Sequence, residues 1–373
     1  MSKSVGTEQS LGNVLNTGVF GIALVLAISA ACIAPFGHHV FVDWVATAFM
    51  AATPAQVILG LLWHNNKPDF IGKLSQPYKG IALTAISIGI GALVLGLVMF
   101  LVGGGHGPTP MVIQYFIMTI VVVVWMIPVW QCWPLNLLSN NPVVIGCLTF
   151  IFSYLLAYVL WRVFFDYSVL GSMGHPHYYE DIDPKGLIDL WTAIIFFVTC
   201  VSVIIVHMLL EFWPVNKLAG NAVQPLRGII ATLYVLVVAT IIRTLFIDGL
   251  GMQPVDYMIR VPVCMIFGTF LVNNMMQFSL FPSAKQPVRG LLLILSAAVV
   301  AVITYELYRW ASTLHTGSEL GAGPSNGFAQ ELWIASAMLG VTFPIIFVVS
   351  GFFGFWPIVR KPTEVTGETE AQA

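Results

Sequence analysis

A proline-marked loop in this sequence reads Glu211-Phe212-Trp213-Pro214 and then Gln224-Pro225-Leu226-Arg227-Gly228, and a long apolar run follows it. A second copy reads Gln277-Phe278-Ser279-Leu280-Phe281-Pro282 and then Gln286-Pro287-Val288-Arg289-Gly290. Related copies run from Trp63 to Gly80 and from Trp130 to Pro142, and Phe355-Trp356-Pro357 forms a half copy. One copy for every two apolar runs predicts a bundle of repeated helical hairpins, which is more typical of a pore or carrier than of a single enzyme pocket.

The composition places the chain in a membrane. Its 373 residues are 58% hydrophobic and only 9% charged, with a mean hydropathy of +0.89, whereas soluble domains carry about 25% charged residues. The apolar runs are long enough to cross a bilayer as helices, and they lack the alternation of a transmembrane barrel. We therefore predict an all-α polytopic protein of ten transmembrane helices arranged as five hairpins. The spans are predicted at 17–35, 41–63, 80–103, 110–132, 142–165, 187–212, 226–247, 256–280, 288–311 and 330–356.

Domain organisation and orientation follow from the same pattern. We predict an N-terminal leader at 1–16, one membrane domain at 17–357 and a disordered tail at 358–373. We call the proline-marked loops and their copies the Trp-Pro loops. Ten of the 15 lysines and arginines fall on the side of these loops. The positive-inside rule therefore puts these loops and both termini in the cytoplasm, and the protein in the inner membrane. The net charge of −2 gives no sign of nucleic-acid binding.

The loop residues have a structural interpretation of their own. Trp63, Trp133, Trp213, Phe281 and Trp356 are expected at headgroup depth, where amphipathic rings are favoured. The proline after each of these aromatics is expected to end the preceding helix, because proline donates no backbone hydrogen bond. The later proline, in Gln-Pro or Asn-Pro, suits the first turn of the next helix.

Several local sequence motifs resemble those of a known membrane-protein family. They are Leu15-Asn16-Thr17-Gly18-Val19-Phe20-Gly21-Ile22 in the first span, Glu211 with Pro214 and Pro225, and Gln286-Pro287 at the ninth span. With them, the five-hairpin plan resembles the tellurite-resistance/dicarboxylate transporter family, which includes the plant slow-type anion channels. The resemblance implies odd-numbered helices around a central pore, even-numbered helices facing lipid, a small anion as solute, and a trimer. The phenylalanine with which that family closes its pore has no counterpart in 291–297, which contains no aromatic residue.

Ionisable and polar residues inside the spans are the candidate functional groups, because such residues are costly in a bilayer. Three arginines recur near the outer ends of spans five, seven and nine, where they could attract an anion or instead pair with nearby acids. His207 and Glu211 are four residues apart in span six and are expected on one helix face, as a coupling pair or a structural one. The candidate solute-binding or pore residues are Arg162, Arg243, Arg309, His207, Glu211, Glu306, Asn273 and Gln277.

The histidines support an alternative. Most of them fall in the loops opposite the Trp-Pro loops, and a metal site could use His38, His39, His106, His175 and His177. No single loop has a familiar metal spacing, and no nucleophile elbow, HExxH or phosphate loop occurs. We therefore predict no enzyme activity and no cofactor.

These observations predict an integral membrane transporter or channel for a small polar or anionic solute. The partners predicted are the lipid bilayer, the solute and copies of the same chain. The alternative is a multi-pass membrane subunit or a metal-handling protein that uses the external histidines.

Overall fold

The computed structural model describes residues 11–172 and 174–359, and helices dominate that part of the chain. Nine of the helices described are long and apolar enough to cross a membrane, and a further apolar helix is shorter, with 17 residues. This confirms an all-α polytopic membrane protein. We number the ten helices α1 Leu11–Ile33, α2 Val40–Leu62, α3 Tyr78–Leu101, α4 Pro110–Met126, α5 Pro142–Phe164, α6 Leu190–Leu209, α7 Leu226–Gly249, α8 Pro254–Met275, α9 Val288–Thr316 and α10 Ala329–Phe352.

The remaining elements are short. Two strands, β1 Phe165–Asp166 and β2 Ile188–Asp189, pair in parallel beside the ends of α5 and α6. Helix α1 begins inside the predicted leader, whereas residues 1–10 and most of the predicted tail, residues 360–373, lie outside the described residues. The short helices in the loops are Asp69–Gly72, Leu135–Leu137, Ser168–Ser172, Tyr178–Ile182, Val215–Ala219 and Pro324–Asn326.

The ten helices form two layers that differ in burial. In the most apolar stretch of each helix, 67% to 78% of the residues are buried in α2, α6, α8 and α10, against 17% to 33% in α1, α3, α5, α7 and α9. Helix α4 belongs with the first group, since 12 of its 17 residues are buried. The even-numbered helices therefore form an inner layer, and the odd-numbered helices surround it.

The inner helices contact one another in a closed ring. Helix α2 packs against α4, α4 against α6, α6 against α8, α8 against α10, and α10 against α2 again. Small residues allow these helices to approach closely. A Cβ atom added to Gly340 of α10 would lie 2.9 Å from Cβ of Ala46 on α2.

This order is the reverse of the one that the family resemblance implies. The resemblance places odd-numbered helices around the centre, but those are the helices whose large apolar side chains are exposed, such as Leu93, Leu155 and Leu233. The predicted arrangement of the two layers is therefore wrong for this chain. In a bilayer the odd-numbered helices are expected to face lipid.

The inner helices end at a pair of left-handed residues and not at the proline that follows. Consecutive residues with φ between +47° and +64° come shortly after the last helical turn of each inner helix. A right-handed helix cannot continue through this conformation, so the prediction that the Trp-Pro proline ends the helix is wrong. The pairs are His64 and Asn65, Gln131 and Cys132, Glu211 and Phe212, Gln277 and Phe278, and Gly354 and Phe355.

The residue just before each left-handed pair is large, and it packs against a glycine of an outer helix. In each case a Cβ atom added to that glycine would meet the large side chain at 2.9 Å or less. We call these five pairs the glycine contacts. They are Gly18 with Met276, Gly80 with Phe353, Gly146 with Trp63, Gly228 with Trp130, and Gly290 with Leu210.

The glutamine of the Gln-Pro motif strengthens three of these contacts. Gln224 Nε2 donates to the carbonyl of Val129 beyond α4 (3.0 Å), while its Oε1 accepts from the Gly228 amide (2.9 Å). Gln76 and Gln286 make the same two bonds, with Phe352 and Leu209 as the carbonyl acceptors. The spacing of Gln-Pro-x-x-Gly is thus explained, because the glutamine satisfies one amide in its own first turn and one carbonyl at the end of an inner helix.

Candidate functional site

Four uncharged side chains of the inner helices each bury an oxygen atom that has no hydrogen-bond partner among the described residues. They are Thr47 and Gln56 on α2, Gln114 on α4 and Thr269 on α8, all no more than 7% exposed. A buried polar atom without a partner costs about 1–3 kcal/mol, and within a bilayer lipid offers no replacement. We call these four residues the inner polar set.

The inner polar set occupies two depths. Gln56 and Thr269 each lie six residues before the last residue of their helix, near the Trp-Pro loops. Thr47 and Gln114 lie further from those loops, and Thr47 is separated from Gln56 by nine residues, or roughly 13 Å of helix. Polar groups are therefore available at more than one depth within the inner ring.

Three phenylalanines pack between α8 and α10. The ring centroid of Phe270 lies 4.6 Å from that of Phe343 and 5.5 Å from that of Phe347, and Phe343 and Phe347 are 5.2 Å apart. Phe347 also faces α2, where a Cβ atom added to Gly60 would lie 3.3 Å from its ring. Phe347 therefore contacts α2 and α8, the two ring neighbours of α10. We call these residues the phenylalanine cluster.

His207 joins α6 to α7. Its Nδ1 lies 2.7 Å from the carbonyl oxygen of Val203, and its Nε2 lies 2.8 Å from the Tyr234 hydroxyl. A carbonyl oxygen only accepts, so Nδ1 carries a proton, and in the neutral ring Nε2 accepts from Tyr234. Both ring nitrogens are thus occupied by bonds within the protein.

Glu211 does not share a helix face with His207, and that prediction is wrong. Helix α6 ends at Leu209, and Glu211 has a φ of +51°, so the four-residue spacing of a helix no longer applies. The Glu211 carboxylate instead accepts a hydrogen bond from Gln286 on the loop before α9 (3.3 Å). The two residues have separate structural partners.

A prediction follows for the bond between α6 and α7. Replacing Tyr234 by phenylalanine removes the donor to His207 Nε2 and leaves that buried nitrogen unsatisfied. We expect a loss of about 1 kcal/mol of stability, seen as a lower thermal unfolding midpoint in detergent. The matched control is Tyr158→Phe, since Tyr158 is 43% exposed on α5. Equal midpoints for the two variants would contradict this role.

The three predicted arginines are distributed over three outer helices. Arg243 Nη1 lies 3.9 Å from an Asp248 oxygen, and Arg309 Nη2 lies 2.8 Å from a Glu306 oxygen. Arg162 is exposed near the end of α5. The structure thus places two of the three beside nearby acids. It does not bring the arginines together, and Glu306 lies with Arg309 on the surface of α9.

The amides predicted in the eighth span lie at its end. Asn273 is in the last turn of α8 and is partly exposed, and its carbonyl accepts from the Phe278 amide (2.9 Å). Gln277 has a φ of +51° and belongs to the left-handed pair after α8. Its predicted location within the span is therefore wrong, because the helix ends at Met275.

The histidines of the predicted metal site contact aromatic residues more than they contact each other. His38 and His39 have centroids 5.2 Å apart, but His106 stacks on Tyr178 at 4.0 Å and His175 on Tyr179 at 5.4 Å. Burial, together with the charges of His39 and His315, lowers the pKa of His38. His177 precedes the short helix Tyr178–Ile182. Among the described residues, no group of three or more His, Cys, Asp or Glu side chains could hold a metal ion.

Arg260 and Glu331 are two of the charged residues of the inner helices that are not among the predicted candidates. Arg260 of α8 pairs with Asp256 (2.6 Å) and lies 4.7 Å from the ring centroid of Tyr305. Glu331 of α10 is 3% exposed; its Oε1 accepts from the Gly323 amide (2.9 Å), whereas its Oε2 has no partner in the described part of the chain. Both lie inside the predicted spans at 256–280 and 330–356, so a search for charged residues within spans would have found them.

Comparison with protein-family models, with curated proteins and with solved structures finds no match to this chain.

Proposed function

We propose that this protein is a transporter or channel that moves a small polar or anionic solute through the ring of inner helices. In this proposal the chain consists of five helical hairpins in the inner membrane, with the Trp-Pro loops and both termini in the cytoplasm. The recurrence of the left-handed pairs and of the glycine contacts supports the hairpin plan. The excess of lysine and arginine on the Trp-Pro side supports the orientation.

The observation that carries the proposal is the inner polar set. Lipid-exposed polar groups in membrane helices are rare, and buried ones normally bond to a neighbouring helix. Thr47, Gln56, Gln114 and Thr269 do not. A polar solute, or the water that accompanies it, would satisfy these atoms as it passes, and this would offset the cost of burying them.

The arginines have a lesser part in this proposal. Arg243 and Arg309 lie on the outer helices and have acidic neighbours, so their net positive field at the ring is small. We therefore expect solute movement to depend on the inner helices and only weakly on Arg243.

Solute movement through proteoliposomes tests the proposal. Vesicles with and without the purified chain are exposed to osmotic steps of urea, glycerol, sodium chloride or sodium formate, and their volume is followed by light scattering. We expect at least one of these solutes to enter protein-containing vesicles faster than empty ones. Equal rates for all four would overturn the proposal.

A variant of Gln114 separates a solute contact from a structural contact. Gln114→Leu keeps a similar side-chain volume but removes the unpartnered side-chain oxygen Oε1. We expect solute entry to fall at least tenfold while the unfolding midpoint stays the same or rises, because an unsatisfied buried polar group is lost. The control is Arg243→Ala, which should retain most of the rate. A lower midpoint with an unchanged rate would instead show that Gln114 is a structural residue.

A further inference from the structure

Three outer helices carry a basic residue at the same position of the proline motif. Lys79, Arg227 and Arg289 each immediately precede the glycine of a glycine contact, in the first turn of α3, α7 and α9. All three are partly buried. The corresponding residue before Gly146 in α5 is Ile145. The position is therefore basic in three hairpins and apolar in a fourth.

The side chains of Arg227 and Arg289 donate hydrogen bonds to uncharged oxygens. Arg227 Nη2 donates to Asn216 Oδ1 (2.7 Å). Arg289 donates from Nη2 to the Phe278 carbonyl (2.7 Å) and from Nε to the Leu280 carbonyl (3.3 Å). A guanidinium has five N–H donors, so most of those on Arg227 remain for another ligand. Neither arginine takes part in any of the four ion pairs of the described residues.

The loop after α6 contains one carboxylate, and it is oriented toward another helix. Glu211 accepts from Gln286 at the start of α9. The short helix Val215–Ala219, which supplies Asn216, adds a further positive charge with Lys217. This loop and the first turn of α7 therefore keep a net positive charge.

A small cleft lies beside Arg227, between the end of α4, the loop after α6 and the first turns of α7. Its volume is about 90 Å³. Its polar lining consists of Gln131, Asn216 and Arg227, and its apolar lining includes Val129, Phe212 and Ala231. The cleft thus combines a cation and two amides with an apolar wall, a combination that suits an amphipathic ligand.

Aromatic residues beside the cleft indicate that it lies at the level of lipid headgroups. Trp130 and Trp133 stack with centroids 5.6 Å apart, and Trp130 packs against Gly228, next to Arg227. Tryptophan is enriched at the membrane–water interface. Basic pockets between helices at this depth bind lipid phosphates, and arginine forms strong paired hydrogen bonds to phosphate oxygens.

We propose that Arg227 and Arg289, and Lys79 by its equivalent position, bind the phosphodiester groups of anionic phospholipids. The site at Arg227 is the most complete, because the cleft adds Asn216 and Gln131 to the guanidinium. One lipid in each of three hairpins would place its headgroup beside the glycine contact, between an outer helix and an inner one. This proposal concerns lipid binding and does not depend on solute transport.

Native mass spectrometry of the full chain in detergent tests the proposal. With added phosphatidylglycerol we expect up to three retained lipids per chain, with weaker retention of phosphatidylcholine. Arg227→Ala is expected to bind one lipid fewer, with an affinity for that lipid lowered at least tenfold, whereas Arg227→Lys retains most of the binding. The matched control is Arg162→Ala, an outer-helix arginine at the opposite end of its span, which should bind like the unaltered chain.

Two results would overturn the proposal. The first is equal phosphatidylglycerol binding by the Arg227→Ala and Arg162→Ala variants. The second is displacement of the bound lipid by inorganic phosphate at millimolar concentration, whereas we expect the lipid to stay bound. Displacement by inorganic phosphate would assign the cleft to a free anion. Because Arg227→Lys keeps the charge and the long side chain, it also shows whether a loss in the alanine variant reflects the site or a folding defect.

Discussion

Replacing Gly146 by leucine is expected to prevent stable folding, or to lower the unfolding midpoint far more than the same change at Gly89. A Cβ atom added to Gly146 would lie 2.2 Å from Nε1 of Trp63. That nitrogen also donates to the carbonyl of Pro142 (2.8 Å), which joins α2 to α5. Forcing the indole away costs about 1–3 kcal/mol through overpacking and about 1 kcal/mol through the lost hydrogen bond.

Gly89 provides a close control, because it lies in an apolar outer helix like Gly146, and among the described residues no atom beyond its own helical turn lies within 4 Å of an added Cβ. Both substitutions raise helix propensity by a similar amount, so the difference between them reports the contact with Trp63. Thermal unfolding and gel filtration in detergent measure it. If the leucine variants of Gly146 and Gly89 unfold at the same temperature, the glycine contacts do not hold the two layers together.

The second large effect is expected at Phe347, where stability and solute entry should change in opposite directions. Phe347→Ala removes a nearly buried ring that contacts both α8 and α2. Such truncations cost about 3–5 kcal/mol, so the unfolding midpoint should fall. If solute passes through the inner ring, the same truncation widens the path, and entry into proteoliposomes should become at least several-fold faster.

Two further variants make this prediction decisive. Phe347→Leu keeps most of the volume and should fold well, with a smaller increase in rate. Phe100→Ala removes a ring that is 73% exposed on the outer helix α3, and it should change neither stability nor rate. A folded Phe347 variant with an unchanged or lower rate would place the solute path away from the phenylalanine cluster.

The positions of the helices were predictable, because a bilayer requires each spanning segment to satisfy its own backbone hydrogen bonds. An apolar run of sufficient length therefore becomes a helix almost regardless of its details. Helices α5 and α7 begin at the predicted residues 142 and 226, close to the prolines that suit a first turn. The largest differences are six residues each, at the start of α1, which begins at Leu11 in place of 17, and at the end of α4, which ends at Met126 in place of 132.

The division into two layers was not predictable from composition. The mean hydropathy of the long inner helices ranges from 1.6 to 2.5, and that of the outer helices from 2.1 to 2.5. These values overlap because lipid tails are as apolar as the interior of a helix bundle, so burial against either one selects similar residues. The family resemblance predicted that the odd-numbered helices lie inside, and the structure has the even-numbered helices inside.

The positions of single residues in the candidate site were also not predictable from the sequence. Glu211 and Gln277 appeared to continue α6 and α8, but each belongs to a left-handed pair after the helix. The first residues of these pairs include histidine, glutamine, glutamate and glycine, so no residue type marks the end of the helix. Gln114 and Thr269, in turn, could be recognised as unpartnered only when their neighbours were in place.

The sequence by itself determined a polytopic helical membrane protein, the approximate helix positions and the recurrence of the proline motif, because these depend on local hydrophobicity and on backbone chemistry. The tertiary structure alone decided which helices lie inside, which polar groups lack partners, and what the proline motif does. In that motif, Trp63 and its counterparts fill the space above a glycine, and Gln224 and its counterparts bond across two helices. Those contacts join residues far apart in the chain, so their geometry depends on how whole helices pack and not on any local run of residues.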